Sequence, residues 1–252
     1  MLKPHAFFDG LNLPAPLQEA LARPQGTGPA IKICGLSTPK TLEAALVAGV
    51  ELVGFVFFPK SPRHLTFETA AALGEQANGR SVKVALSVDA DDALLDTMIA
   101  KLKPNLLQFH GSETPSRVAE VKARYGLPVM KALGISSPSD LAAISAYDGV
   151  ADRILFDAKP PKGADLPGGN GLAFDWDLLA GVKLQAPFML SGGLDATNVA
   201  EATRRTQAPA VDVSSGVESA PGLKDPTKIA AFVAALRGAK STEMLGSAGA
   251  TR

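Results

Sequence analysis

The chain holds one cysteine, Cys34, which ends the apolar run AIKIC and directly precedes a glycine. Asp157 ends a second such run, RILFD, and His110 a third, NLLQFH. Two further runs, FML and AVDV, pass into SGG (residues 191–193) and SSG (residues 214–216). A partly desolvated carboxylate at a strand end can serve as a general acid, though it can equally cap a loop. The stretch after Asp157, AKPPKGADLPGGNG, is long and rich in Gly, Pro and Lys, and reads as a mobile cover over a site. Cys34 has two readings of equal weight from position alone: a packed small hydrophobe or a reactive thiol. Lys32 shares its strand face, because side chains alternate. A nearby cation favours the thiolate, but Lys32 could also sit elsewhere in the mouth of the fold. His110 reads as a structural histidine hydrogen-bonded beside the site.

Other chemistries are excluded by spacing. There is no HxH, HExxH or CxxC pattern, so a zinc site is not expected. There is no GxSxG elbow and no phosphate-binding Walker loop. Lys and Arg number 25, as do Asp and Glu, and no basic run could track a nucleic-acid backbone. A single cysteine forms no internal disulfide, which points to a reducing compartment. Asp9 and several prolines interrupt the N-terminal stretch, which lacks a signal peptide's apolar core and a transit peptide's Arg-rich character. No run approaches the roughly 20 apolar residues that span a bilayer. A cytoplasmic protein with neither membrane nor nucleic-acid partners is expected.

The elements that must position these residues alternate from residue 30 onward. Eight short runs rich in Val, Ile, Leu and Phe are each followed by an Ala/Leu-rich stretch with helical spacing. Thr38-Pro39, Thr114-Pro115, Ser137-Pro138 and Asp225-Pro226 open helices, and Gly49, Gly126 and Gly149 close them. Apolar runs without alternation indicate strands buried on both faces. The whole predicts a single (β/α)8 barrel of the α/β class, a size such barrels commonly reach. An open doubly wound sheet is the alternative, but the first strand leads to CGLS and not to a Gly-rich fingerprint. In a barrel, chemistry gathers at the C-terminal strand ends, and phosphate is commonly held after strands seven and eight. Gly192, Gly193, Ser215 and Gly216 stand there, small enough for the backbone to approach an anion. Simple tight turns are the plainer reading of each.

The motifs KICGL, GFVFFPKSPRHL, LLQFHGSE, LFDA…GGNGLAFDW, FMLSGGLDATNV and VDVSSGVESAPGLKD occur in this order. As a set they resemble the phosphoribosylanthranilate isomerases of tryptophan biosynthesis, over roughly residues 30 to 237. The resemblance implies an Amadori rearrangement of a phosphoribosyl aminoaldose into a ketose, with no redox change and no cofactor. It implies that Cys34 is the general base at C2′ and Asp157 the general acid at the ring oxygen. It further implies that Arg63 contacts the anthranilate part and that Asp212, with His110, binds substrate. The departures are small: Asn170 where the family has threonine, LSGG for LAGG, and QFHG for QLHG. Two alternatives remain. One is the related isomerase of histidine biosynthesis, which carries an aspartate at the position of Cys34. The other is a non-catalytic phosphosugar-binding barrel, which loss of a proton carrier would support.

Both chain ends lie outside the barrel pattern. Residues 1–29 form an N-terminal extension, unusual for the family, with one short helix in which Leu17 and Leu21 stand at i and i+4. Emerging before strand one, it is expected to fold back over the barrel bottom through the QGTGP hinge. Residues 238–252 are expected to be a flexible tail. A monomer with a small phosphosugar as its partner is expected.

Overall fold

Runs buried on both faces must pair with neighbours on both edges, and eight of them close into one parallel barrel. The strands are β1 (Ala30–Cys34), β2 (Leu52–Phe57), β3 (Val82–Ser87), β4 (Leu106–Phe109), β5 (Val129–Ile135), β6 (Arg153–Ala158), β7 (Phe188–Leu190) and β8 (Ala210–Val213). The computed structural model describes residues 7–21, 28–160, 163, 166–169, 171 and 173–247. Asn170 and most of the QGTGP hinge lie outside these. Every residue of β1 to β4 and of β8 is buried, which explains their lack of polar alternation. Register places the chemistry: pairing of β1 with β8 sets Lys32 beside Asp212, and pairing with β2 sets Cys34 beside Gly54. A small antiparallel hairpin, β9 (Glu218–Ala220) and β10 (Leu223–Lys224), follows β8.

Helix α1 (Ala15–Leu21) precedes the barrel. The outer ring is α2 (Pro39–Val47), α3 (Phe67–Ala77), α4 (Asp92–Leu102), α5 (Pro115–Tyr125), α6 (Val199–Thr206) and α7 (Pro226–Ser247). Thr38, Thr66, Asp91 and Thr114 cap the first four of these, each accepting a hydrogen bond from the backbone N–H three residues on. The helical patterns after β5 and β6 become 3-10 segments, Pro138–Ala146 and Trp176–Leu179. The first buries only Ile144 and so has no apolar face to hold an α-helical register. The second is too short for more than a tight turn. At the other end α7 continues beyond Arg237 to Ser247, so the expected tail begins as helix. No proline interrupts that stretch.

One apolar core lies between barrel and helices, and a second fills the N-terminal half of the barrel interior. Leu52, Val82, Leu106, Leu155 and Met189 of this second core are joined by Phe7, Leu11, Leu13, Leu17 and Leu21. Arg153, at the start of β6 and 1% exposed, donates from Nε to the Phe7 carbonyl (2.6 Å) and from Nη2 to the Asp9 carbonyl (2.7 Å). Its guanidinium also lies 5.4 Å from the centre of the Phe7 ring.

Candidate active site

A cleft opens at the C-terminal strand ends. Cys34, Arg63, His110, Asp157, Gly192, Gly193, Asp212 and Ser215 all line it. Gly216 does not; it passes beneath the loop after β7, where a Cβ would collide with the Leu194 carbonyl. Val56, Phe58, Leu86 and Val88 supply an apolar wall continuous with Cys34.

Cys34 is 4% exposed. Burial pushes its thiol up from the ordinary value; Lys32 pulls it back, Asp212 raises it, and Lys224 lowers it. Lys32 is fully buried and donates from Nζ to Asp212 Oδ1 at 3.0 Å. Burial alone would lower the Lys32 ammonium, but Asp212 and then Cys34 outweigh it and its pKa is raised. Both side chains cross Gly54: a Cβ there would lie 2.9 Å from Cys34 Sγ and 3.1 Å from Lys32 Cε. Lys32 thus lies beside the thiol and not elsewhere in the mouth.

Asp157, 5% exposed, stands three strands away around the barrel, by way of β8 and β7. Its Oδ2 lies 3.2 Å from His110 Nε2, and its Oδ1 accepts from the Ala158 N–H. Gln108 Nε2 meets His110 Nδ1 at 3.2 Å; with the amide so assigned, the neutral ring carries its proton on Nε2, facing the carboxylate. Gly168 lies directly over this pair, since a Cβ would come within 2.5 Å of both Asp157 Oδ2 and His110 Nε2. The loop after β6 therefore reaches the site at Gly168 and at Gly169, whose carbonyl faces Arg63 Nη2 at 3.4 Å.

Sequence reasoning missed three side chains that hold the site: Gln108, Glu218 and Lys224. Glu218 grips Arg63 at Nε (2.7 Å) and Nη2 (2.9 Å), and Lys224 at 2.5 Å. Lys224 also donates to the Ser214 carbonyl and hydroxyl, and the Ser214 hydroxyl donates to the Cys34 carbonyl at 3.2 Å. Burial works against the Glu218 carboxylate, yet Arg63 and Lys224 outweigh it and hold its pKa down. Burial likewise lowers the Lys224 ammonium, offset in part by Glu218. The signal was a buried-type motif, SSGVE…LKD, with opposite charges six residues apart around a turn glycine.

Among the described residues, no cluster of three or more His, Cys, Asp or Glu could hold a metal ion. No described helix is long and apolar enough to cross a membrane.

Fold and site together define a (β/α)8-barrel enzyme whose acid–base groups converge at the C-terminal strand ends. Residues 31–235 match the sequence profile described as N-(5′phosphoribosyl)anthranilate (PRA) isomerase. The chain belongs to this family. The N-(5′-phosphoribosyl)anthranilate isomerase of Rhodopseudomonas palustris (strain ATCC BAA-98 / CGA009) is 61% identical over 209 residues, 83% of this chain and 98% of that protein. The crystal structure of phosphoribosyl anthranilate isomerase from Thermotoga maritima superposes with a TM-score of 0.75 at 32% identity, covering 83% of this chain and 99% of the other. A phosphoribosyl anthranilate isomerase in complex with reduced 1-(o-carboxyphenylamino)-1-deoxyribulose 5-phosphate superposes at 0.71, with 30% identity and coverage of 83% and 99%.

Proposed function

We propose that the protein is an aldose–ketose isomerase that converts N-(5′-phosphoribosyl)anthranilate to 1-(2-carboxyphenylamino)-1-deoxyribulose 5-phosphate in tryptophan biosynthesis. One observation carries the reading: a thiol and a carboxylic acid from opposite parts of the barrel line a single cleft whose wall is apolar on one side. Asp157 donates a proton to the furanose ring oxygen as the C1′–O bond breaks, and the nitrogen lone pair forms the Schiff base. His110 Nε2, 3.2 Å from Asp157 Oδ2, donates to the carboxylate that Asp157 becomes and holds it in place. The Cys34 thiolate then removes the C2′ proton, and those electrons form the C1′=C2′ bond of the enolamine. Proton movement from the C2′ hydroxyl to C1′ yields the ketose. Each electron pair stays within the substrate, so the reaction consumes no oxidant or reductant. Lys32 and Lys224 are the cations that oppose the burial raising the thiol's pKa.

Arg63 faces the anthranilate carboxylate, Val56, Phe58, Leu86 and Val88 hold the ring, and Asp212 takes a sugar hydroxyl. The phosphate sits on the loops of Gly192, Gly193, Ser215 and Gly216. Among the described residues, the backbone N–H groups of Gly193 and Ser215, which line the cleft, make no hydrogen bond, which leaves donors for an anion. The protein acts as a cytoplasmic monomer; its exposed large apolar side chains, among those described, are Val47 and Leu223, on separate elements. The test is complementation of a tryptophan auxotroph lacking the isomerase. Growth without tryptophan is expected, whereas rescue of a histidine auxotroph alone overturns the assignment.

A further inference from the structure

Arg63 is held on every side but one. Its stem packs across Gly35, where a Cβ would come within 2.6 Å of Cδ. Its head lies against Gly169, where a Cβ would come within 2.8 Å of Nη1. Glu218, 3% exposed in its side chain, takes Nε and Nη2 in a two-point grip. Nη1 is left with no hydrogen bond among the described residues, beside Gly169, which lines the cleft with Arg63 itself. An arginine and a glutamate alone would be a neutral pair with little attraction for an anion. Lys224, fully buried and bonded to the same carboxylate, restores one net positive charge to the cluster. The β9–β10 hairpin supplies both Glu218 and Lys224, and its turn residue Gly222 donates from its N–H to Glu218 Oε2 at 3.2 Å.

We propose that Glu218 is the positioning residue for Arg63, fixing the guanidinium so that Nη1 meets the ring carboxylate and sets the preference for a carboxylated substrate. This rests on the reading that Arg63 recognises that carboxylate. Glu218 touches no part of the substrate and acts through the arginine. An arginine freed from this grip keeps its charge and loses its aim, so binding suffers more than the chemical step.

The experiment compares N-(5′-phosphoribosyl)anthranilate with the analogue lacking the ring carboxylate, N-(5′-phosphoribosyl)aniline, on wild type, Glu218→Gln, Glu218→Asp and Arg63→Met. Wild type is expected to favour the carboxylated substrate in kcat/KM by at least about tenfold. Glu218→Gln is expected to raise KM for that substrate about tenfold, with kcat within about threefold, and to shrink the preference. Glu218→Asp keeps the charge with a shorter stem, and an intermediate preference is expected; it carries the test should the glutamine variant not fold. Equal losses on both substrates would reduce Glu218 to a fold-supporting group. If Arg63→Met abolishes the preference while both Glu218 variants retain it, the positioning role alone is overturned. If Arg63→Met retains it, the reading of Arg63 itself is overturned.

Discussion

The two ends of the barrel are closed by opposite chemistries. At the N-terminal end, Phe7, Leu11, Leu13, Leu17 and Leu21 pack on the first residues of the strands, and the fully buried cation there, Arg153, is tied to backbone carbonyls. At the C-terminal end the buried groups are charged and paired with one another: Lys32 with Asp212, and Arg63 with Glu218 and Lys224. Apolar burial stabilises without specifying chemistry. Buried ion pairs contribute little net stability, because desolvation offsets their attraction. What they give is fixed charge at the place where the proposed mechanism moves protons. With the proposed roles, the bottom serves stability and the top serves reaction, and substitutions should separate the two.

The largest effects are expected at the top. Cys34→Ala should lower kcat by roughly 10²–10⁴-fold, with little change in KM or Tm. Asp157→Asn should lose a similar factor while still binding a reduced, open-chain product analogue, measured by calorimetry. Near-normal turnover in the alanine variant would make Cys34 a packing residue. Gly193→Asp should raise KM by placing a negative charge where the phosphate sits, and inorganic phosphate should compete with substrate. Unchanged KM would move the phosphate site elsewhere.

Lys32→Met tests whether the top's charges act on one another. Removing the cation takes away the largest influence lowering the thiol's pKa and leaves burial and Asp212, which raise it, opposed by Lys224 alone. The pH profile of iodoacetamide alkylation should therefore move to higher pH than in wild type. A profile that stays in place would separate Lys32 from the thiol's ionisation.

At the bottom the expected effect is on stability alone. Arg153→Met leaves the Phe7 and Asp9 carbonyls without their donor, a loss of about 1–3 kcal/mol and a fall in Tm of several degrees. Deleting residues 1–27 should likewise lower Tm while kcat and KM stay within about twofold. Lost activity at unchanged Tm would place the segment at the cleft instead.

The smallest effect belongs to neither end. On the outer surface Arg80 donates to both oxygens of Glu43, and the exposed carboxyl is held down to about 2, chiefly by that hydrogen bond. A depressed folded pKa gives stability that is present above the ordinary glutamate range and is lost as pH falls towards about 2. Glu43→Gln should differ slightly from wild type in Tm at neutral pH, with the gap closing in acid.

The strands were legible because each is a short run dominated by apolar residues, and their ends named the cleft because a barrel gathers chemistry there. Leu17 and Leu21 were legible as a stripe. Arg153 was not, because nothing in a charged residue's neighbourhood announces that its partners are carbonyls of the N-terminal segment. Glu218 and Lys224 carried a faint signal in their spacing, but their meaning depends on a hairpin that folds them back onto Arg63. The segment from Pro138 to Ala146 has the composition of a helix, yet with Ile144 alone to bury it takes the tighter winding.

Gly216 passes so close under the Leu194 carbonyl that no side chain fits between them. The turns after β7 and β8 are thus a single mechanical piece, unable to slide past each other. A lengthened β7 turn would have to lift its neighbour with it. In laboratory evolution, insertions there should survive only as matched pairs.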